Sequence, residues 1–441
     1  MSIKNLRILI ISEHASLKFG GEAALPLHYF RVLRKRGIEA WLIVHERTKN
    51  ELKTFFPEDC ERIYFIKDTF WHILVWRLGQ LLPRRLSYFT FGLILRLMTQ
   101  LSQRQLAQNL IQEKQIDIIH QPIPVSPKEP SSLYELGVPV VIGPMNGGMN
   151  YPSGFDYMES KWVKQSVSIG RAFADFMNSL IPGKLKATTL LVANSRTQAA
   201  LPTILQDKTI IELVENGVDL SIWQSFPKNE HPLQDVKQTT KFVYVGRLIE
   251  LKGVDILLLV VKQISDKVTI KLDIIGDGIE RANLEQKARN LGLISDQNAS
   301  DSSKVRFLGW LSQSDCAKQL QVADVLILPS LHECGGAVVL EAMAMGIPVI
   351  ATNWGGPADY IDESCGILVE PSSRQAFIDG LASAIVKLAN NPELCQKMGE
   401  AGYEKIQQQF DWERKVDRIL EIYQDSIERY FKETKLKQNE G

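Results

Sequence analysis

One pattern governs what this chain can fold into: short apolar runs alternate with stretches of helical periodicity along most of its length. In the first half, apolar runs of strand length lie at 6–12, 40–44, 116–120, 138–142, 190–194 and 211–214. A stretch with helical spacing, 22–36, follows the first of these runs. Strands that are apolar throughout and separated by helices are typical of a parallel sheet with helices on both faces.

The same pattern starts again after a polar stretch. Residues 228–240 contain Pro232 and several charged or amide side chains, which predicts a linker. Beyond it, apolar runs recur at 241–246, 271–276, 305–309, 325–328, 347–352 and 367–369. A chain of 441 residues also exceeds the size at which a single core keeps growing. We therefore predict an α/β protein of two doubly wound, Rossmann-like parallel-sheet domains, 1–225 and 226–411, facing each other across a cleft.

Composition excludes several classes of protein. The chain has 51 Lys and Arg against 51 Asp and Glu, so its balance gives no support for a nucleic-acid partner. Its five cysteines include no C-x-x-C pair, which argues against a disulfide framework and a zinc site. No signal-peptide pattern precedes the first strand, and the uncharged apolar run 86–95 falls far short of the ~18 residues of a transmembrane helix. These features predict a cytoplasmic protein.

The segment 329–350 places two glutamates, Glu333 and Glu341, around the glycine pair Gly335 and Gly336. A buried strand should end just before this segment, and strong helix formers follow the glycines, so a helix is expected to begin near Gly336. The free N–H groups at such a helix start bind anions such as phosphate. The glutamates would lie at most roughly 12 Å apart, which suits a sugar and a ribose with a diphosphate between them. Carboxylates bind sugar hydroxyls well.

Two further loops carry groups for an anion. Gly20 and Gly21 follow the first strand and open the first helix, so their N–H groups can meet a phosphate. Arg247 and Lys252 follow the first strand of the second half and offer a guanidinium fork and a point charge. No Asp-x-Asp triplet occurs in the chain, so we expect these cations and helix termini, rather than a metal ion, to neutralise a departing diphosphate.

The run Gly276-Asp277-Gly278-Ile279-Glu280-Arg281 has part of a dinucleotide fingerprint. Arg281 stands where the third glycine belongs, and the preceding strand is not the first of its domain. A nicotinamide site is therefore rejected, although the loop is still expected to line a nucleotide pocket.

Together these motifs resemble glycosyltransferase family 4, the group 1 glycosyltransferases. The shared segments follow the family's order over nearly the whole chain: Gly20-Gly21, Asn216-Gly217-Val218-Asp219, Gly246-Arg247, Lys252-Gly253, Gly276-Asp277-Gly278, Phe307-Leu308-Gly309, Glu333, and Glu341 to Val349. The resemblance implies a GT-B fold and an enzyme that needs neither metal nor cofactor. It also implies retaining transfer of a hexose from a nucleoside diphosphate sugar to a glycan or lipid-linked acceptor, as in the synthesis of cell-surface polysaccharide or glycolipid.

The resemblance also implies roles for residues. Glu341 should hold the ribose hydroxyls, and Arg247 and Lys252 the diphosphate. Gly20 and Gly21 should close on the phosphates from the N-terminal, acceptor-side domain. The transferred sugar should contact Glu333 and the backbone of Gly335, Gly336, Ala337 and Val338.

A final helix within 412–441 is expected to pack back on the N-terminal domain, as is usual in the family. Its side chains Val416, Ile419, Leu420 and Tyr423 lie on one face.

The acceptor-side domain departs from the family. Many members have a histidine after the strand that here spans 138–142, whereas this chain continues with Gly143-Pro144-Met145-Asn146-Gly147-Gly148. Asn146 is one candidate to contact the sugar or acceptor in place of that histidine. His120, at the end of another predicted strand, is the second candidate, although a lone histidine there is more often structural.

Residues 69–112 contain no acidic side chain. Five arginines are interleaved with aromatic residues in this segment: Arg77, Arg84, Arg85, Arg96 and Arg104 with Phe70, Trp71, Trp76, Tyr88, Phe89 and Phe91. This composition is typical of an interfacial anchor, in which arginines hold anionic headgroups and aromatic rings enter the acyl boundary. The alternative is that the aromatic side chains are core and the arginines cover a helix. The segment predicts a possible anionic membrane partner, with the protein on the inner face of the plasma membrane.

Alternatives remain for both chemistry and class. Retention can follow departure of the diphosphate and attack from the same face, or a covalent step with Glu333 as nucleophile. Two other classes share the architecture: a nucleotide-sugar epimerase, and a non-catalytic protein that binds nucleotide sugars. The donor-side charges at Arg247, Lys252, Glu333 and Glu341 favour transfer.

Overall fold

The computed structural model describes residues 5–19, 21–83, 86–87, 90–158, 161–223, 239–294 and 304–439, in 161–169 and 437–439 by backbone only. The chain forms two compact units. The first comprises 1–148, 165–216 and 412–441, and the second comprises 149–164 and 217–411. The first unit gives way to the main part of the second at 216/217. The sequence predicted this boundary at 225/226. Most of the expected linker at 228–240 lies outside the described residues.

The first unit is built on a seven-stranded sheet whose strands are all parallel, in the order β3-β2-β1-β4-β5-β6-β7. The strands are β1 (Arg7–Ile11), β2 (Glu39–His45), β3 (Ile63–Ile66), β4 (Ile118–Gln121), β5 (Val140–Met145), β6 (Thr189–Val192) and β7 (Ile210–Glu212). The helices of this unit are α1 (Gly21–Lys35), α2 (Lys49–Phe55), α3 (Phe70–Gly79), α4 (Phe91–Lys114), α5 (Lys161–Leu180), α6 (Gly183–Lys186), α7 (Ser195–Ala199) and, after the second unit, α15 (Trp412–Asn439).

The second unit is built on a six-stranded parallel sheet in the order β10-β9-β8-β11-β12-β13. Its strands are β8 (Thr240–Val245), β9 (Ile270–Ile275), β10 (Val305–Gly309), β11 (Val325–Leu328), β12 (Val349–Thr352) and β13 (Gly366–Val369). Its helices are α8 (Val254–Ile264), α9 (Arg281–Asn290), α10 (Gln313–Gln321), α11 (Ala337–Ala344), α12 (Gly356–Tyr360), α13 (Arg374–Ala389) and α14 (Pro392–Lys405), followed by a π-helical turn, Ile406–Phe410.

Alternation along β1 explains the layers of the first unit. Ile8 and Ile10 enter one buried cluster, whereas Leu9 and Ile11 enter another. Successive side chains of a strand point to opposite faces of its sheet, so the sheet has one apolar core on each face. Burial on both faces is why its strands are apolar throughout rather than alternating.

Helix α15 contributes to the core that contains Ile8 and Ile10. Its side chains Val416, Ile419, Leu420 and Tyr423 are all buried in that cluster, together with Trp412. Arg36, the residue after α1, forms ion pairs with Glu413 at 2.9 Å and with Asp417 at 2.7 Å of α15. The last helix of the chain therefore completes the domain that the first strand begins.

The fold class predicted from the sequence is confirmed: the chain forms two α/β domains, each with a doubly wound parallel sheet. Because all strands of a sheet run the same way, the loops that follow them lie at one edge, where open α/β sheets bind ligands. In the described part of the chain, no helix has both the length and the apolar character needed to cross a bilayer.

Candidate functional site

The loops after β8 and β11 lie side by side in the second unit, because these two strands are neighbours in the sheet. Lys252 belongs to a 3-10 turn, Glu250–Lys252, in the loop after β8. The N–H of Leu331, three residues beyond β11, donates to the carbonyl of Leu251 at 2.9 Å. This backbone contact fixes the position of Lys252 relative to the loop that carries Glu333.

The ammonium group of Lys252 donates a hydrogen bond to the Glu333 carboxylate, and the two form an ion pair. Only 9% of the Lys252 side chain and 15% of the Glu333 side chain are exposed. Glu333 is also held through its backbone, since its carbonyl accepts from the N–H of Gly356 at 2.8 Å. The structure therefore joins two of the predicted site residues.

Helix α11 begins at Ala337, directly after this loop, as the sequence predicted. Gly336 precedes it with φ of +74°, a conformation that favours glycine, and a side chain there would also press against Glu333. The first N–H groups of a helix lack carbonyl partners within it, so the start of α11, at Ala337 and Val338, is suited to an anion. Gly335, Gly336, Ala337 and Val338 all retain partial exposure.

Glu341 lies on the second turn of α11, about 6 Å along the helix axis from Ala337 at 1.5 Å per residue. Its side chain keeps some solvent access, yet burial raises its pKa to about 7. The Glu341 carboxylate also acts on Cys316 of α10, whose pKa is raised to about 11 by burial and then by Glu341. Such a carboxyl is partly protonated at neutral pH. Hydrogen bonds from hydroxyl groups would stabilise its charged form and lower its pKa.

Arg247 is exposed two residues beyond β8. Its carbonyl accepts a hydrogen bond from the buried Tyr244 hydroxyl at 3.1 Å. The pKa of Tyr244 is raised by burial and by the Glu333 carboxylate, and lowered by Arg247. Arg247 and Glu333 thus both act electrostatically on the Tyr244 hydroxyl. Of the two predicted cations, it is Lys252 that pairs with Glu333.

The Gly276-Asp277-Gly278 loop has a structural role. A side chain at Gly276 would meet the carbonyl oxygen of Gly246 at 1.9 Å, and φ there is +135°. The N–H of Leu248 donates to the carbonyl of Asp277 at 2.9 Å, which joins the loops after β8 and β9. Arg281 forms ion pairs with Asp277 at 3.1 Å and Glu285 at 2.9 Å. Glycine is needed here because two backbones approach closely.

Trp310 was missed in the sequence reading. It directly follows β10, and 75% of its side chain is exposed. An exposed indole at the ligand-binding edge of a parallel sheet offers a flat surface for stacking. The signal in the sequence was a tryptophan immediately after the strand that ends Phe307-Leu308-Gly309.

In the first unit, Asn146 is 8% exposed and its amide meets other side chains. Its Nδ2 donates to the buried carboxylate of Glu215, and its Oδ1 accepts from the Thr197 hydroxyl at 3.4 Å. Asn216 also donates to Glu215, at 3.2 Å. The Lys415 ammonium of α15 donates to the carbonyls of Val214 and Asn216. Asn146 thus belongs to a buried polar network around Glu215.

His120 lies in β4, and both its ring nitrogens are engaged. Its Nε2 is 2.6 Å from the carbonyl oxygen of Gly143, which only accepts, so Nε2 carries the hydrogen. Its Nδ1 is 2.7 Å from the hydroxyl of Tyr423 on α15. Burial lowers the pKa of His120 to about 4, so the ring is neutral and Nδ1 accepts from Tyr423. These contacts give His120 a structural place between β5 and α15.

The expected phosphate-binding turn of the first unit is described in part. Gly20 lies outside the described residues, and Gly21 is the first residue of α1. Glu22, in the first turn of that helix, has its pKa raised by burial and then by Glu129. Among the residues that the structure describes, no three His, Cys, Asp or Glu side chains are grouped as metal ligands would be.

Comparison with known proteins identifies a family for the second unit. Residues 225–405, nearly the whole second unit, match the family model described as glycosyl transferases group 1. The lipopolysaccharide core biosynthesis glycosyltransferase LpsE of Rhizobium meliloti (strain 1021) is 33% identical over 179 residues, which cover 40% of this chain and 48% of LpsE. The D-inositol 3-phosphate glycosyltransferase of Segniliparus rotundus is 30% identical over 254 residues, covering 54% of this chain and 52% of that protein. The chain spans about half the length of the curated relatives it matches.

A solved structure resembles the whole chain. The crystal structure of Anabaena HepE in complex with UDP superposes with a TM-score of 0.63 at 18% identity, and the match covers 95% of this chain and 100% of that one. At this identity the likeness shows the fold, which is the two-domain GT-B fold of glycosyltransferases.

Proposed function

We propose that this chain, whose residues 225–405 match the family model of the group 1 glycosyl transferases, is a retaining glycosyltransferase that uses a nucleoside diphosphate sugar. It moves a hexose from that donor to a glycan or lipid-linked acceptor. The observation that carries the proposal is the Lys252–Glu333 ion pair beside the start of α11. These groups lie at the edge of the sheet where β8 and β11 end. A diphosphate needs a cation and free helix N–H groups, and the attached sugar needs a carboxylate for its hydroxyls.

The proposed step exchanges one bond to the anomeric carbon for another. The bond between that carbon and the diphosphate oxygen breaks, and its electron pair leaves with the diphosphate. The acceptor hydroxyl oxygen forms the new bond, and its proton passes to the departing phosphate oxygen. Negative charge therefore grows on the diphosphate, where Lys252 and the N–H groups of Ala337 and Val338 stabilise it without a metal ion. Arg247, exposed beyond β8, supplies a second cation.

The two glutamates hold the two ends of the donor. Glu341 accepts hydrogen bonds from the ribose hydroxyls, which favour its charged form and lower its raised pKa. Glu333, with the Gly335 and Gly336 backbone, contacts hydroxyls of the transferred hexose.

We favour attack from the same face over a covalent intermediate on Glu333. Its carboxylate already accepts a hydrogen bond from the Lys252 ammonium. An ion-paired carboxylate has less electron density to offer an anomeric carbon, so Glu333 is better suited to positioning than to bond formation.

The relatives point to the substrates to test first. HepE was crystallised with UDP, so UDP is the first nucleotide to test. LpsE is named for lipopolysaccharide core biosynthesis, which directs the acceptor search towards cell-surface glycans and glycolipids. The roles of Gly20 and Gly21 at the phosphates, and of Asn146 towards the acceptor, stay predictions, as does a cytoplasmic location.

The proposal is tested by ligand-dependent thermal stability of the full chain with UDP, GDP, ADP and their hexose derivatives. A ligand present at 100 times its Kd adds about 2.7 kcal/mol to the free energy of unfolding, which raises Tm by several degrees. Glu341→Ala should reduce this shift, whereas Glu363→Ala, at an exposed carboxylate of the same unit, should not. Addition of EDTA should leave both shift and turnover unchanged.

The same samples separate the alternative functions. Slow hydrolysis of the bound nucleotide sugar without acceptor, with retention at the anomeric carbon, supports transfer. Conversion of the donor to its epimer would instead identify an epimerase, and binding without turnover a non-catalytic protein. No shift with any of the ligands would refute the donor site.

A further inference from the structure

Helix α3 presents large apolar side chains to solvent. Phe70, Trp71 and Trp76 are 71%, 63% and 55% exposed, and Ile73 and Leu78 are exposed as well. Leu81, two residues beyond the helix, is 80% exposed. Large apolar side chains that are exposed together on one helix often mark a surface that binds a partner or a membrane.

The opposite side of α3 is fixed within the domain. His72 is buried, its Nδ1 lies 2.8 Å from the Thr69 hydroxyl in the capping box, and its Nε2 lies 3.5 Å from the Thr99 hydroxyl of α4. Gly79 lies so close to Ser87 and Phe91 that a side chain there would collide with them. The helix therefore has an inward face defined by His72 and Gly79, and its aromatic side chains lie on the remaining surface.

The segment that carries this surface has positive charge only. No acidic residue occurs between 69 and 112. Arg77 is exposed on α3 among the aromatic side chains. Arg96 and Arg104, which the sequence also offered as headgroup ligands, are used inside the domain: Arg96 forms a 2.8 Å ion pair with Glu129, and Arg104 lies over the Tyr134 ring at 4.0 Å. Arg84 and Arg85 lie outside the described residues.

The position of α3 relates this surface to the ligand-binding edge of the first sheet. β3 ends at Ile66, and Asp68, two residues later, is 3.1 Å from the ring of His45, the last residue of β2. Helix α3 thus begins at the edge where the parallel strands of the first sheet end. On α4, Gln103 donates to the carbonyl of Ser12, just after β1, at 2.7 Å.

A second exposed apolar stripe lies on α5. Phe173, Phe176 and Leu180 are spaced by three and four residues and are all exposed. The carbonyl of Lys128 accepts from Asn178 of α5 at 3.0 Å, and the neighbouring Glu129 pairs with Arg96 of α4. The segment 128–129 therefore joins α5 to the helix on which α3 packs.

We propose that the outward face of α3 docks the protein onto an anionic lipid membrane. Tryptophan and phenylalanine rings enter the boundary between headgroups and acyl chains, and Arg77 contacts anionic headgroups from a segment, 69–112, that contains no carboxylate. A membrane is preferred to a second copy of this chain because the surface has positive charge and no negative counterpart within 69–112. Resting on the proposed function, the docking implies an acceptor carried by a lipid.

The test is flotation of the full chain with vesicles of phosphatidylcholine alone and of phosphatidylcholine mixed with phosphatidylglycerol. Binding is expected with the anionic vesicles and is expected to weaken as salt is raised. The variant W71S/W76S should lose about a hundredfold in partitioning, since each ring withdrawn from the interface costs about tenfold. R77E should lose the preference for phosphatidylglycerol.

Phe431→Ser is the matched control, because Phe431 is an exposed aromatic residue on α15 of the same unit. It should leave vesicle binding unchanged.

Nucleotide-induced thermal stabilisation, measured without vesicles, should be the same in W71S/W76S and in the wild type, which shows that the variant is folded. A wild type that ignores anionic vesicles, or equal binding by W71S/W76S, overturns the docking surface. So does a dimer in solution that W71S/W76S dissociates. None of these results affects the proposed function, which the nucleotide shift tests separately.

Discussion

Lys252 and Glu333 are 81 positions apart in the sequence, yet their charged groups form an ion pair with little exposure to solvent. Their loops follow β8 and β11, which are adjacent in the second sheet. The pair thus keeps a cation in place at the strand edge when no ligand is bound, and holds the Glu333 carboxylate in a fixed orientation.

We expect Lys252→Met to lower kcat by 10²- to 10³-fold, about what loss of one preorganised charge-stabilising group costs, with a much smaller change in nucleotide affinity. The reason is that Lys252 acts on charge that grows as the diphosphate departs. Turnover is followed as acceptor-independent hydrolysis of the nucleotide sugar. A loss confined to affinity would contradict this role.

The same variant should lose about 2 kcal/mol of unfolding free energy, because Glu333 then keeps a mostly buried charge without its partner. The double variant K252M/E333Q should regain most of this stability while remaining inactive. Urea unfolding of the two variants measures the difference. Equal destabilisation of both would show that the pair is not coupled.

A second prediction concerns Glu341, whose pKa is about 7 in the ligand-free protein. Only the ionised carboxylate accepts hydrogen bonds from both ribose hydroxyls, so UDP affinity should increase as pH rises towards 7 and level off above it. Below pH 7 the loss should approach about tenfold per pH unit, and binding should release a proton. Calorimetry in buffers of different ionisation enthalpy measures that proton.

The terminal phosphate of UDP also titrates, with a pKa of about 6 by analogy with the second ionisation of phosphate esters. Glu341→Gln is therefore the matched control, since it keeps the titration of the ligand and removes that of the protein. The pH profiles of wild type and Glu341→Gln should differ only by the Glu341 titration. Superimposable profiles would contradict the assigned role.

A third prediction is that Trp310→Ala weakens UDP binding about tenfold, because a base stacked on an aromatic ring contributes about 1–3 kcal/mol. Trp310→Phe should keep most of the affinity, since a ring remains. Val322→Ala, at an exposed apolar residue of the same unit, serves as the surface control. Equal affinities in Trp310→Ala and the wild type would remove Trp310 from the site.

The sequence was a good guide to the sheets, because strands buried on both faces must be apolar throughout. It missed β3, Ile63–Ile66, whose four residues lie between Arg62 and Lys67 and form too short a run to stand out. It also predicted the start of α11, because the Gly336 turn and the helix formers after it are local signals.

The site contacts could not be predicted in the same way. The pairing of Lys252 with Glu333 depends on β11 lying beside β8, and strand order is a property of the whole sheet. The carboxyl of Glu341 could be placed on a helix, but its pKa depends on how deeply the folded unit buries it. Trp310 differs from these residues, since the stacking predicted for it depends on its exposure.

The choice between Asn146 and His120 also needed the structure. His120 is adjacent to Tyr423, which lies 303 positions later, and no local pattern could show that both ring nitrogens are occupied. Asn146 binds Glu215 through a buried contact 69 positions away. His120 is completely buried, whereas Asn146 keeps 8% exposure, so only Asn146 remains proposed for the acceptor side.

A last prediction follows from the His120 contacts. The pKa of this ring is about 4 in the folded protein, below the ordinary value of 6.5, because burial disfavours its charged form. Between pH 4 and 6.5 the unfolded chain binds the extra proton, so this residue contributes stability above pH 6.5 that is lost as pH falls towards 4. The slope is up to about 1.4 kcal/mol per pH unit.

His120→Phe should remove this slope and, by breaking two buried hydrogen bonds, lower stability at pH 7.5 by about 2 kcal/mol. Tyr423→Phe, which removes only the donor to Nδ1, should keep the slope and cost less. Urea unfolding at a series of pH values measures both, and acceptor-independent hydrolysis per folded molecule should be unchanged in either variant. A large fall in kcat for His120→Phe, with its fold intact, would instead place this histidine in the chemistry.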